Sequence, residues 1–540
     1  MRLTRETIEV KANISEFDTV RKHVEERLAK AGVSDGLIYE NILVLEEVFV
    51  RLVNHINDKN KVISIATYKR LSEVLINIEY DGARFALDFN SEDENDPGAA
   101  IINKFEDKIS WEYQRKHNFI TIQVESVSDS MFMRCILGVL LAVLVFLAMA
   151  ALLSEEQRHV LLFDYVYKIE KMFGNAMFMI SAPLTYLSLV CNLTDIRMYS
   201  TYKKGMAGLF AKVIGTSAIT LFLSGIYYFL TICVITLNTD GYRIYYAGTP
   251  ELENSVMNIL DMVPEDLIGA FTDISPLPLL FIAIVSAAAL TTMNKNFETM
   301  KEVNDAFYSF LCKFLEIIMM FLPIAVFFAT LDLLLTEGMH GLKYQLIFIL
   351  ISYAGIAIMM LYYVLRLVKH GIKPFAFVRD TFPAMKENFK INSTINSIPY
   401  NERFLSKTFK IKIKLLDDEM PVFSKINLEG NCFILFFSGL TIQHAVGRNM
   451  TVPQILLMAV LVLVLSLGAP NHAGSILIGL LIIFSYIGVP SVNISIPILC
   501  EAILGKSITM INTFGNYVTV AIDAKNNGCF VQKDKAPANK

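Results

Sequence analysis

The chain has 540 residues, 48 of them basic and 52 acidic, for a formal net charge of −4. Residues 1–130 hold 41 of these charges and residues 131–540 hold the other 59. The first part thus has the charge density of a soluble domain, and the second, in a chain that is 54% hydrophobic with a mean hydropathy of +0.47, is too apolar for one. These values exclude a purely soluble enzyme, a disordered chain and a nucleic-acid binder built on bulk basicity, so no nucleic-acid partner is expected. They leave a soluble domain joined to a polytopic membrane domain. The seven cysteines are scattered, with no CxxC pair and no metal spacing, and read as small hydrophobes.

In chain order, residues 7–12 alternate and predict a strand. Residues 16–31 and 35–56 have helical period, the second with Ile38, Ile42, Leu45, Phe49, Leu52 and Ile56 on one side. Residues 61–69 and 73–80 predict a hairpin, 109–114 and 118–125 another, and the acidic loop 91–98 separates the two. This order is similar to the histidine-kinase-type ATP-binding fold in its short anti-sigma-factor form. That family carries Glu-x3-Asn-x3-His on a helix, with the asparagine on magnesium. Here the run is Glu47-x3-Arg51-x3-His55, without the asparagine. Asp81-Gly82-Ala83-Arg84-Phe85 is close to the family's adenine loop Asp-x-Gly-x-x-Phe, but lacks the residue between Asp and Gly, and Asp-Gly is also an ordinary turn. The resemblance implies a degenerate domain that does not hydrolyse ATP and that binds either a nucleotide or a cytosolic protein partner.

A spanning helix needs roughly 20 apolar residues. Six stretches qualify: 133–153, 172–193, 209–235, 276–293, 311–335 and 343–367. Residues 372–425 are polar and charged, with Pro374, Pro383, Pro399 and Pro421, and apolar segments return at 426–445, 452–467, 475–488 and 493–511. The first apolar run starts near 131, which predicts no N-terminal signal peptide and a cytosolic N-terminal domain. Basic residues cluster after the second span (Arg197, Lys203, Lys204, Lys212), the fourth (Lys295, Lys301) and the sixth (Arg366, Lys369, Lys373, Arg379). With the N-terminus inside, all three clusters fall in the cytoplasm, and the polar loop 236–256 is external. Two stretches, 390–399 and 468–474, interrupt the C-terminal region with Pro, Gly, Asn and Ser. Exposed backbone at membrane depth is costly unless it lines a cavity or binds a solute or ion, so both read as re-entrant candidates.

Over 131–525 the chain resembles the dicarboxylate/amino acid:cation symporter family, the glutamate-transporter fold. The resemblance is carried by ordered stretches: Ile259-Leu260-Asp261-Met262-Val263-Pro264, Pro276-Leu277-Pro278, Phe321-Leu322-Pro323-Ile324-Ala325-Val326-Phe327, and 384–399 on the family's first hairpin. It implies an α-helical polytopic membrane protein of eight spanning helices, the last two broken, plus two re-entrant hairpins. It also implies a homotrimer in which a transport subdomain slides past a scaffold like an elevator. The first hairpin tip is Asn392-Ser393-Thr394-Ile395-Asn396, and the motif of the seventh helix, Asn-Met-Asp-Gly-Thr in the family, reads Asn427-Leu428-Glu429-Gly430-Asn431. The second tip is Gly468-Ala469-Pro470-Asn471-His472-Ala473-Gly474, where His472 would suit proton coupling. In the eighth helix the family's substrate aspartate and arginine align with Gly505 and Ile508, and a sodium-binding aspartate with Asn516. Glu501, Thr509 and Asn512 match in type. Without the aspartate and arginine, an acidic amino acid has no fixed counter-charges. Lys506 is a nearby cation, but its helical position faces away from Ile508. Glu429, Glu501 and Lys506 are the candidate functional charges within spans, and a buried Glu–Lys pair holding two broken helices together would be the structural alternative.

By carry-over, Asn392, Ser393, Thr394, Asn431, Ala469, Pro470, Asn471, His472, Gly505, Ile508, Thr509 and Asn512 line the substrate site. Asn427, Glu429, Asn512 and Asn516 hold the coupling ion, sodium or a proton. The expected division is a soluble α+β domain at 1–130, a transport domain at 131–525 and a polar tail at 526–540. The expected function is symport of a small organic solute, of dicarboxylate or amino acid class, in the lipid of the cell membrane. The alternative is a transporter-derived sensor that signals through residues 1–130, motivated by the lost site residues. An enzyme is not expected, since Arg51 stands at the magnesium position. Lys407, Lys410, Lys412 and Lys414 are expected on the second arm of the first hairpin.

Overall fold

The computed structural model describes residues 6–532 except 57, 71–72, 83–84, 86–104, 106–108, 115–116, 125–128, 203–205, 237–261, 273–274, 294–295, 446–449, 471 and 489–494. The acidic loop 91–98 and the loop 236–256 lie outside the described residues, as do Lys203, Lys204, Lys295, Ala83, Arg84 and Asn471. The chain divides into two units, Met1–Asp129 and Ser130–Lys540.

The first unit runs β1 (Glu6–Lys11), α1 (Phe17–Lys30), α2 (Asp35–His55), β2 (Val62–Arg70), β3 (Glu73–Asp81), β4 (Ile109–Gln114) and β5 (His117–Val124). These follow the predicted order of strand, two helices and two hairpins. All strand pairs are antiparallel, in the order β1-β2-β3-β5-β4. Register follows alternation: Ile65 lies opposite Ile8 and Ile78, and Ile76 opposite Ile122. One face of β5 buries Asn118, Ile120, Ile122 and Val124 while the intervening residues are exposed or half-buried. That face is covered by the apolar stripe of α2, where Leu45, Val48, Phe49 and Leu52 are fully buried. Phe49 meets Phe17 of α1 with ring centroids 5.6 Å apart.

The second unit begins with α3 (Asp129–Leu152), α4 (Glu155–Leu161), a π-helical turn (Leu162–Val166), α5 (Tyr167–Tyr202), α6 (Met206–Thr236), α7 (Pro276–Thr292), α8 (Phe297–Met319) and α9 (Leu322–Lys369). Among the described residues, four segments are long and apolar enough to cross a membrane: Met131–Leu152, Glu155–Asp195, Gly208–Ile232 and Leu322–Lys369. Outward rows such as Leu137, Leu140, Leu144 and Leu147 on α3 are exposed, a surface suited to hydrocarbon rather than water. The predicted fifth span, 311–335, is not one helix. It crosses a break at Met320–Phe321, because Pro323 has no N–H and is accommodated only in the first turn of a new helix. The 48-residue α9 is itself interrupted at Gly338, whose φ of 66° and ψ of −156° suit glycine alone. The predicted sixth span falls in the part after that break.

Two helical hairpins follow. The first is α10 (Pro374–Ile391) and α11 (Ile398–Phe409), with its turn at 392–397. Then come α12 (Ile413–Ile426) and α13 (Glu429–Ala445), separated at Asn427–Leu428. The second hairpin is α14 (Val452–Leu467) and α15 (Ser475–Ile487), with its turn at 468–474, and α16 (Ser495–Asn526) ends the sequence of helices. Two expectations change. The eighth helix is one unbroken run of 32 residues, since its proline, Pro497, sits in the first turn. Of the four lysines expected on the second arm, only Lys407 lies on α11, because Lys410 ends that helix in the left-handed conformation at φ 57°.

The polar tail expected from 526 is docked over its described part. Val531 N–H donates to Phe409 O at 2.8 Å, and Gln532 exchanges two hydrogen bonds with the Lys373 backbone, at 3.1 and 2.9 Å. Phe530 stacks on Phe409 with centroids 5.4 Å apart. The segment thus touches both ends of the first hairpin.

The chain's single tryptophan, Trp111, is on β4 opposite Ile120, so its fluorescence reports unfolding of the first unit within the full chain. Phe49→Ala is expected to cost about 3–5 kcal/mol and to lower the urea midpoint of the tryptophan signal.

Candidate functional site

The site is organised by α16. Along it, Glu501, Gly505, Thr509, Asn512, Asn516, Thr519 and Asp523 recur every three or four residues, which places them on one face of the helix. All but the half-buried Thr509 are buried. Buried polar groups need partners, and these side chains find them at the ends of broken helices. The Glu501 carboxylate accepts from the backbone N–H groups of Gly474, Ile476 and Leu477 at 2.8, 3.1 and 3.2 Å, so it caps the start of α15. Asn512 accepts from Gly430 N–H at 2.7 Å and donates to Asn431 Oδ1 at 2.9 Å, at the start of α13. Asn516 Oδ1 accepts from Asn427 in the α12–α13 break at 2.9 Å.

The first hairpin tip joins the same face. Asn392 ends α10 in the left-handed conformation, φ 53°, and its side-chain oxygen accepts from the Thr509 hydroxyl at 3.1 Å. Thr394 donates to Ser424 O at 2.7 Å, and Ser393 Oγ accepts from Asn396 N–H at 3.3 Å. Beneath the tip, Asn388 donates to Asn401 and to the Tyr517 hydroxyl, at 2.9 and 2.8 Å, and Tyr517 donates back to Asn401. At the second tip Ala469 is buried and His472 Nδ1 lies 4.0 Å from Glu316 Oε1 on α8. Asn192 of α5 donates to Leu467 O at 2.8 Å. The Pro470 backbone is buried beside Ala469. Most predicted site residues therefore converge on α16, while His472 faces α8.

Two residues of this cluster were missed in the sequence. Arg366 reads there as a loop cation that sets orientation. It instead lies in the last turn of α9, with only 15% of its side chain exposed, and its Nη1 is 3.4 Å from Oε1 of the fully buried Glu429. Its Nη2 donates to Thr519 at 3.0 Å, and its guanidinium lies 5.5 Å from the Tyr362 ring centroid. Thr216 of α6, also not singled out, donates to Asn427 Oδ1 at 3.4 Å. Position alone did not reveal either, because neither belongs to a motif; a basic residue still inside the apolar run of the sixth span was the available signal for Arg366.

With this arrangement in view, residues 120–525 match the sodium:dicarboxylate symporter family, three quarters of the chain. The chain belongs to that family. It is 25% identical over 386 residues to a C4-dicarboxylate transport protein of Polynucleobacter asymbioticus, covering 67% of this chain and 85% of the relative. It is 22% identical over 369 residues to the L-cystine uptake protein TcyP of Shouchella clausii, covering 65% and 79%. It is 20% identical over 254 residues to excitatory amino acid transporter 3 of Mus musculus, covering 46% and 49%. Membership makes the chain a transporter, not an enzyme.

The two family positions that depart most have a local explanation. A Cβ at Gly505 would stand 2.7 Å from Glu501 Oε1. The capping carboxylate thus occupies the space an aspartate would need, and a second acid there would add like-charge repulsion. Ile508 is buried and apolar. Of the three residues weighed for a buried Glu–Lys pair, Glu501 caps α15, Glu429 faces Arg366, and Lys506 Nζ lies 5.7 Å from the Phe389 ring centroid. Gly430 also permits close approach, since a Cβ there would meet Ile511 Cγ2 at 2.5 Å and Asn512 Oδ1 at 2.8 Å.

The carried-over cation set does not fit a sodium ion. Sodium is a hard cation that needs several free oxygen donors. Asn427, Asn512 and Asn516 direct their oxygens to neighbouring hydroxyl, amide or N–H donors, and the carboxylate of the set, Glu429, faces a guanidinium. Among the described residues no group of three or more His, Cys, Asp or Glu could hold a metal.

In the first unit, Arg51 Nε donates to Glu47 Oε1 at 2.7 Å, an i,i+4 ion pair along α2. The His55 ring meets Phe85 edge-on at 5.3 Å, and Asp81 pairs with His117 at 2.5 Å. Glu47 and Asp81, the two acids of the nucleotide-like remnant, are thus both engaged within the domain, while Gly82 packs against Tyr80.

Two outcomes follow from the cap. Glu501→Gln replaces an acceptor oxygen with a donor, and the amides of Gly474, Ile476 and Leu477 are expected to exchange hydrogen at least about tenfold faster, equivalent to about 1.4 kcal/mol. Gly505→Asp is expected to lower the melting temperature of the purified protein, and Glu501→Ala in the same chain to recover part of the loss.

Proposed function

We propose that this chain is a secondary-active symporter of the cell membrane that moves a small polar solute of the dicarboxylate or amino acid class, driven by a sodium or proton gradient. The family and the names of its relatives support the class. The observation that carries the reading is that both hairpin tips close onto one polar face of α16: Asn392 through Thr509, and Gly474 through Glu501. Such a seam offers hydroxyls and side-chain amides to a polar solute without a fixed side-chain arginine. The missing aspartate and arginine argue against aspartate or glutamate as the solute. The chain's own residues supply orientation and exclusion of water. Asn392, Thr509 and Asn512 hold the seam together, Ala469 and Pro470 close it, and His472 faces Glu316.

In this reading the hairpins, α12, α13 and α16 form the body that moves past α5, α7 and α8 in an elevator step, within a homotrimer surrounded by lipid and with the N-terminus in the cytoplasm. Ties between the two sets support it: Asp195 of α5 accepts from Lys425 of α12 at 2.7 Å while also pairing with Lys301 of α8 at 3.0 Å. Such partly buried pairs must break for the sets to slide. Residues 1–130 serve as a regulatory domain for a cytosolic protein partner rather than for a nucleotide, a reading supported by the Arg51–Glu47 pair at the would-be magnesium position.

Proteoliposomes with an imposed sodium or proton gradient are expected to accumulate a labelled solute from a panel of dicarboxylates and amino acids. Thr509→Ala and Asn392→Ala should each lower that uptake at least about tenfold, the loss expected when a buried partner is left unpaired at about 1–3 kcal/mol. A panel with no accumulation under either gradient counts against transport. Millimolar Mg-ATP is expected to leave the Trp111-reported unfolding midpoint unchanged.

A further inference from the structure

Glu429 is fully buried at the N-terminal end of α13, and the charge facing it is Arg366 at 3.4 Å. The guanidinium is held from three directions: by the carboxylate, by the Thr519 hydroxyl at 3.0 Å, and by the Tyr362 ring at 5.5 Å. It also sits in the last turn of α9, where the helix dipole favours a cation, while Glu429 sits in the first turn of α13, where it favours an anion. Every element packed here contributes a neutral group besides this pair: Tyr363 from α9, Thr216 from α6, Asn427 from the break, and Asn516 and Thr519 from α16.

The charge balance decides what else can bind. The pair is neutral as it stands. An added monovalent cation would leave one uncompensated positive charge in a buried site, at a cost of several kcal/mol, and beside a guanidinium that repels it. Asn516 adds no second carboxylate to offset this. Two buried atoms around the pair complete no hydrogen bond among the described residues, Glu429 Oε2 and the Tyr363 hydroxyl. They are an acceptor and a donor, and the Tyr363 hydroxyl faces the Glu429 carboxylate.

We propose that Arg366 is the resident counter-cation of Glu429 and takes the electrostatic place of a sodium ion, so that no sodium binds beside Glu429. The consequence for coupling rests on the transport reading above, but the test reads ion binding without any solute, so the two can fail separately.

The test uses the purified full chain in detergent, melted in sodium chloride and in choline chloride at equal ionic strength. The sodium-specific shift in melting temperature is expected to be the same for the unmodified protein and for Glu429→Gln. Arg366→Met exposes the carboxylate to an outside cation, and is expected to gain a saturable, sodium-specific rise of a few degrees that is lost in Arg366→Met/Glu429→Gln. A sodium-specific rise in the unmodified protein that Glu429→Gln removes would overturn the proposal, as would an Arg366→Met protein with no such gain. Should Arg366→Met not fold, binding of radioactive sodium to the unmodified protein and to Glu429→Gln decides alone: equal binding supports the proposal, and a loss in Glu429→Gln overturns it.

Discussion

A break in a helix leaves backbone N–H and C=O groups without partners, and in hydrocarbon each costs several kcal/mol. Among the described residues after 373, three such interruptions, at 392–397, 427–428 and 468–474, meet α16. The arrangement of the second unit can be read as the solution to that one constraint. α16 stays whole, and its buried polar face meets each interruption: Thr509 at the first, Asn512 and Asn516 at the second, Glu501 at the third. Removing the face would leave each turn with donors and acceptors that neither lipid nor the apolar neighbours could serve.

The same constraint shapes the chemistry. Glu501 is spent on three backbone N–H groups, and its carboxylate fills the space beside Gly505. The space beside Gly505 is thus subordinate to a helix cap. Glu429 is matched by Arg366 in the same way. At both positions the buried charge is matched from within the protein.

Much of this was legible from residue patterns. Alternation and helical period found the described strands and α-helices of residues 1–130, because one face of each is buried and the other is wet. The two tips were visible as Pro, Gly and Asn within apolar runs. The break at Met320–Phe321 was not, since hydropathy sums side chains and is blind to the missing N–H of Pro323. Arg366 was also misread. At the end of an apolar run, a basic residue reads the same whether it reaches into solvent or back towards a carboxylate 63 positions away. Only the packing of α9 against α13 and α16 settles which. Glu501 was visible as a costly buried acid, but its partners are backbone groups, which a reading of side chains cannot pair.

The segment leaving α16 carries a mechanical consequence. Through Val531, Gln532 and Phe530 it holds the entrance of α10 and the exit of α11 at once, and Lys525 Nζ donates to Gly371 O at 2.5 Å just ahead of them. The first hairpin is therefore a closed loop of fixed perimeter, fastened to the helix that also fills its tip. Its two ends and its tip are thus all tied to one helix, so a displacement of the α16 C-terminus pulls on both arms of that hairpin together.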